Sequence, residues 1–75
     1  MAGERQYLTS RSGRIVGWVQ ETCGYEFVYG WDGRLYGSKY NGCCYDECGR
    51  YLGNDSSFII AHLLTEYSKV YPNDF

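Results

Sequence analysis

The stretches SGRIVG (residues 12–17), DGRLYG (32–37) and CGRYLG (48–53) decide the fold of this chain. Each reads x-Gly-Arg-apolar-apolar-Gly. The first glycines are Gly13, Gly33 and Gly49, the arginines Arg14, Arg34 and Arg50, and the closing glycines Gly17, Gly37 and Gly53. Three matches in so short a chain mark one supersecondary unit used repeatedly. The residues ahead of each glycine explain the pattern: Ser10-Arg11-Ser12-Gly13, Gly30-Trp31-Asp32-Gly33 and Asp46-Glu47-Cys48-Gly49. Ser or Asp in the first position with Gly in the fourth is a type I turn signature. Gly in the fourth position accepts the left-handed conformation that closes a hairpin with a bulge. Gly13, Gly33 and Gly49 are therefore expected to be structural turn residues with positive φ.

Working outward, Glu21-Thr22-Cys23-Gly24 has a similar shape, and Asn41-Gly42 is the strongest two-residue hairpin signal in the chain. Turns then fall about every ten residues, the spacing of an antiparallel meander. The predicted strands are 5–10, 14–21, 25–30, 34–40, 43–46 and 50–53. Alternation puts Tyr25, Phe27 and Tyr29 on one face of the third strand and Glu26 and Val28 on the other. By the same rule Tyr36 and Tyr40 share a face of the fourth, and Val16, Trp18, Val28 and Leu35 alternate against the tyrosine positions. The closing glycines mark bends, or places where a ring packs over bare backbone. Three equivalent bends curl the meander toward a barrel-like or petal-like shape.

After residue 53 the pattern changes. Asn54-Asp55-Ser56-Ser57 supplies helix N-caps. FIIAHLLTEYSKVY (58–71) then carries Ile59, Ile60, Leu63, Leu64 and Tyr67 at helical spacing. Lys69 suits the negative end of the helix dipole, and Pro72 stops the helix. The expected fold class is α+β, mainly β. It is a single domain over 1–75, with hairpin repeats over 5–53 and a helix over about 56–70 that covers one face or end of the sheet.

YDECGRYLG (45–53) resembles the Tyr-Asp-x-x-Gly-Arg core of tyrosine-aspartate hairpin repeats. It is more similar still to the short bacterial β-flower proteins, in which such hairpins repeat around an axis. The resemblance spans roughly residues 7–53. The third repeat matches throughout. The second has Tyr29 followed by Gly30 in place of Asp, and the first has Thr9 and Ser10. The resemblance implies a hairpin-repeat fold and a bacterial or mobile-element origin, and it carries over no catalytic residue.

Composition narrows the function. The chain has 75 residues, 19% of them aromatic, with 9 Tyr, 2 Trp and 10 Gly. A chain this short has a marginal core and commonly leans on a disulfide, a metal or a partner. Net charge is −2 and the basic residues are dispersed, so neither a nucleic-acid footprint nor a basic membrane-surface helix is present. No nucleic-acid or membrane partner is expected. MAGERQYLTSRSGR has no apolar core of a signal peptide, which gives the expectation of a cytoplasmic protein with reduced thiols.

Four candidate sites follow. Cys23, Cys43, Cys44 and Cys48 have the number for a zinc site or two disulfides, but no Cys-x-x-Cys knuckle, and Cys43 and Cys44 point to opposite strand faces. Free thiols, with no metal and no cofactor, are the expectation. His62, the single histidine, has no nucleophile at a telling spacing and reads as a boundary residue; no catalytic residue is assigned. Arg14, Arg34 and Arg50 can converge near an axis as an anion pocket, or each can pair locally with a carboxylate or a ring. The aromatic surplus, with Trp18, Trp31 and Tyr36 foremost, is expected at a seam or in a ligand pocket. The expected function is a non-enzymatic interaction module that self-associates, most simply as a dimer. The alternative is a small-molecule or anion binder using the repeat arginines and exposed rings.

Overall fold

The structure, a computed structural model, describes residues 4–74. Six strands follow one another: β1 (Arg5–Thr9), β2 (Ile15–Thr22), β3 (Tyr25–Gly30), β4 (Leu35–Tyr40), β5 (Cys43–Asp46) and β6 (Tyr51–Gly53). The helix α1 (Ser57–Val70) closes the fold. Each strand pairs antiparallel with its sequence neighbours in the order β1-β2-β3-β4-β5-β6, so the sheet is an open meander. All six predicted strands are present, with ends that differ by one residue at most.

The three repeat turns are alike. Gly13, Gly33 and Gly49 have φ of 87°, 86° and 84°. Their N–H groups donate to the carbonyls of Ser10, Gly30 and Asp46 at 3.0, 2.9 and 3.0 Å. The N–H groups of Ser10, Gly30 and Asp46 in turn donate to the carbonyls of Arg14, Arg34 and Arg50. At the other end of the sheet the connections are two-residue loops. Asn41 and Gly42 both have positive φ, as type I′ geometry requires. Cys23 and Gly24 do too. Glu21-Thr22-Cys23-Gly24 is therefore not a copy of the repeat turn; Thr22 and Tyr25 are paired strand residues on either side of a tight loop.

Beyond each repeat turn the ladder slips by one residue. Leu8 faces Gly17 while Thr9 faces Ile15, which leaves Val16 as an extra residue in β2. Likewise Tyr36 is extra opposite Val28 and Tyr29, and Leu52 is extra opposite Cys44 and Tyr45. These bulges carry Val16 and Tyr36 into the core under α1 and pack Leu52 against it. The shared face expected for Tyr36 and Tyr40 is overturned for this reason: Tyr36 is 2% exposed and Tyr40 43%. The expectation that Val16, Trp18, Val28 and Leu35 all alternate against the tyrosine positions fails for two of the four. Val16 and Val28 are buried with the helix, whereas Trp18 and Leu35 are register partners of Tyr29 on the opposite face.

The core is Val16, Val28, Tyr36 and Cys44 from the sheet and Ile59, Leu63 and Tyr67 from the helix. Glycine lets the helix come this close. A Cβ on Gly17 would lie 2.2 Å from the Tyr29 carbonyl oxygen and 3.0 Å from Leu63 Cδ2. A Cβ on Gly37 would lie 2.6 Å from the Tyr45 carbonyl oxygen and 2.9 Å from Ile59. Gly30 explains the departure of the second repeat from the Tyr-Asp pattern. Its Cβ would strike the Tyr36 ring at 2.5 Å, so no Asp fits there. Asp32 serves that turn instead, accepting the Arg34 N–H at 3.0 Å.

The ends of α1 are tied to the sheet. Asp55 Oδ1 accepts the Ser57 N–H at 2.9 Å, and Ser56 makes no side-chain cap. Past the C-cap Tyr71, the Asp74 carboxylate accepts hydrogen bonds from the hydroxyls of Tyr67 and Ser12. This clasp joins the helix end to the first repeat turn. No helix among the described residues is long and apolar enough to cross a membrane.

Candidate functional site: a ring-paved sheet face

Residues directly opposite in an antiparallel ladder share a face, so the register maps the surface away from α1. Tyr7, Trp18 and Tyr29 form one row across β1, β2 and β3. Gln20, Phe27, Ser38 and Tyr45 form the next, running on into β4 and β5. Thr22, Tyr25, Tyr40 and Cys43 form the third. Tyr51, partner of Tyr45, completes the face at β6. Eight rings thus lie on one side of a sheet of six short strands. Tyr7, Tyr25, Tyr40 and Tyr51 are 52%, 41%, 43% and 61% exposed.

The rings are ordered against one another. Tyr25 and Tyr40 stack with centroids 4.2 Å apart and planes at 18°. Trp18 and Tyr29 stack at 5.6 Å and 24°, and Tyr25 and Phe27 at 5.7 Å and 13°. Tyr7 tilts against Trp18 at 6.4 Å, and Tyr45 meets Tyr51 edge-on at 6.0 Å. Cross-strand aromatic pairs of this kind stabilise a sheet while leaving their outer rims in water. Arg5 is the one charged strand residue on this face among the described residues, and its guanidinium lies 4.9 Å over Trp18.

Trp18 is on this face. Tyr36 and Trp31 are not. Tyr36 is buried, and burial, against the opposing pull of Arg34, pushes its phenol above the usual value. Trp31 packs edge-on against Tyr67 at 5.2 Å and Tyr71 at 6.4 Å, anchoring the second repeat turn to the helix. Tyr7, Tyr25, Tyr40 and Tyr51, none of them among the three rings put foremost from the sequence, are the more exposed rings of this face. A signal for them was present. Reading Thr22-Cys23-Gly24-Tyr25 as a two-residue hairpin pairs Trp18 with Tyr29 and Gln20 with Phe27 by counting outward.

The repeat arginines take local partners. Arg50 Nε donates to Asp46 Oδ2 at 2.9 Å, and Asp46 Oδ1 accepts the N–H groups of Arg50 and Cys48 at 2.8 Å. The Arg50 N–H, with that of Cys48 and the guanidinium, holds the Asp46 carboxyl below the usual carboxylate range. Arg34 lies 5.2 Å over the Tyr36 ring. Arg14 lies 4.5 Å over Tyr71 and 4.0 Å from Asp74, beside a shallow depression that also takes in Pro72 and Asn73. Arg34 and Arg50 thus brace their own turns, and Arg14 ties the first turn to the segment after α1.

Cys43 lies on the ring face and Cys44 in the core, where burial pushes its thiol upward. Cys23 and Cys48 are exposed in different turns. No group of three or more potential metal ligands occurs among the described residues. His62 touches the Tyr36 ring edge-on at 5.3 Å, and its Nδ1 is 3.7 Å from Glu47 Oε2. It links the helix to the third repeat turn.

No curated protein and no solved structure matches the chain. The family model described as 4-fold beta flower protein matches residues 1–72, and the resemblance seen in YDECGRYLG extends over nearly the whole sequence. The chain belongs to the 4-fold beta flower family.

Proposed function

We propose that this chain is a non-enzymatic interaction module that self-associates through its ring-paved face. One observation carries the reading: eight aromatic side chains share the sheet face that α1 leaves open, with Arg5 as the only strand charge among them in the described residues. Soluble proteins seldom leave an extended apolar patch without a use, and aromatic rings supply most of the binding energy in protein interfaces. A cytoplasmic setting in a bacterial or mobile-element host belongs to the same proposal, and cell fractionation tests the compartment.

The competing reading, an anion or small-molecule binder, draws on the same exposed rings. Its arginine part is weakened by the local partners of Arg14, Arg34 and Arg50. Native mass spectrometry of the chain taken from cell lysate separates the two. Particles of two or more chains without added mass are expected. Single chains carrying a small molecule would overturn the proposal in favour of the binder.

A further inference from the structure

We propose that two copies meet face to face through their rings, forming a four-layer particle in the order helix, sheet, sheet, helix. This geometry rests on the self-association put forward above and names how the chains join.

The pose of the rings argues for a second copy as the occupant. Tyr25 with Tyr40, and Trp18 with Tyr29, stack at 4.2 and 5.6 Å across neighbouring strands. Rings stacked across strands stand up from the sheet. In each pair one broad face of each ring is taken by the other, and rims point outward. A sugar or a nucleobase stacks on an open ring face, and stacking within these pairs leaves less of that than of rim. A row of upright rings instead fits between the rings of a similar row. There the electropositive rim of one ring meets the electronegative face of another.

Charge and size agree. The chain has 7 basic and 9 acidic residues, yet only Arg5 enters this face from the strands, and it is spent on Trp18. Glu21, Glu26 and Lys39 are opposed to one another on the helix side. Two such faces approach without like charges in register. The molecule is a slab 36 × 28 × 17 Å. Its broad side can supply the ~800 Å² per partner of a standard interface.

The sheet edges are poorer joints. β6 has 3 residues, and the ladder of the 5-residue β1 slips between Leu8 and Thr9. Short and bulged edges are the usual means of discouraging edge-to-edge pairing.

Small-angle X-ray scattering on the unmodified chain, with sedimentation velocity at the same micromolar concentrations, tests the geometry. A face-to-face pair roughly doubles the 17 Å axis and leaves the longest dimension nearly unchanged. An edge-to-edge pair lengthens the particle instead. Tyr40→Lys, which puts a charge among the rings, should raise the dimer dissociation constant at least tenfold. Circular dichroism shows whether that variant is folded; if it is not, the scattering of the unmodified chain still decides. A compact dimer weakened by Tyr40→Lys supports the proposal. An elongated dimer, or one that folded Tyr40→Lys leaves intact, overturns the face-to-face geometry while self-association stands. A monomer throughout overturns both.

Discussion

On its helix side the sheet meets Ile59, Leu63 and Tyr67 with Val16, Val28, Tyr36, Cys44 and bare glycine backbone; on its other side it holds up eight rings that α1 does not cover. Gly17 and Gly37 each follow a bulge residue, so the same short motif turns a side chain into the core and clears the backbone for α1. The ring side needs no such clearance, since its side chains lean on each other across the strands. The contrast teaches that packing density on one face can be reached by removing atoms. Stability then rests on positions where any added carbon is a collision.

The largest expected effect tests that point. Gly17→Val sets a branched side chain where a Cβ already lies 2.2 Å from a carbonyl oxygen, and it should cost about 3 kcal/mol or more, enough to threaten a domain of this size. Urea denaturation measures it. A midpoint within error of the parent would mean that the helix does not sit on bare backbone. Leu63→Ala, which empties the centre of the helix face, should cost about 3 kcal/mol at every protein concentration. Truncating a ring on the other face should instead matter mainly where chains associate. If Tyr25→Ala proves as costly as Leu63→Ala in dilute, dissociated protein, the two faces are not distinct in the way described.

A smaller loss is expected at the perimeter. Gly33 has φ +86° with open space around it, so Gly33→Val strains only the backbone and should cost about 1–3 kcal/mol. An unchanged melting temperature would remove the left-handed turn as the basis of the repeat.

The smallest effect is in acid. Asp46, Asp55 and Asp74, around the rim of the helix side, are all held below the usual carboxylate range by hydrogen bonds they accept. A depressed folded pKa gives stability that is complete above the unfolded value of about 4 and is lost as pH falls through the lower folded value. The melting temperature should therefore be level from neutrality to about pH 5 and decline below about pH 4. Asp46→Asn should decline less. A parent chain equally stable at pH 3 and pH 7 would show these bonds to be too exposed to count.

Much of this is legible in the sequence. Gly13, Gly33 and Gly49 announced turns with positive φ, and the periodic apolar residues after Ser56 announced the helix. The faces were less legible. Alternation has a period of two, and a bulge adds one residue that alternation cannot count. Alternation therefore places Tyr36 on the side of Tyr40, although the glycine after each of Val16, Tyr36 and Leu52 marks the slip. Trp31 failed for another reason. A ring in a turn is exposed unless a distant segment returns to cover it, and Tyr67 and Tyr71 lie more than thirty positions away. The ring face needed cross-strand register, which the loop at Cys23-Gly24 encodes once it is read as two residues.

The order of elements along the chain also has a consequence for biosynthesis. Every strand pairs with its neighbours in sequence, so the hairpins can form one by one as they leave the ribosome. Residues 57–70, which roof the glycine-floored side, are made after every strand. At a translation rate of about 5–20 residues per second, the interval between β6 and the end of α1 is roughly one to three seconds. For that time the nascent sheet has both broad sides uncovered, and the packing of α1 on Val16, Val28, Tyr36 and Cys44 ends it on one of them.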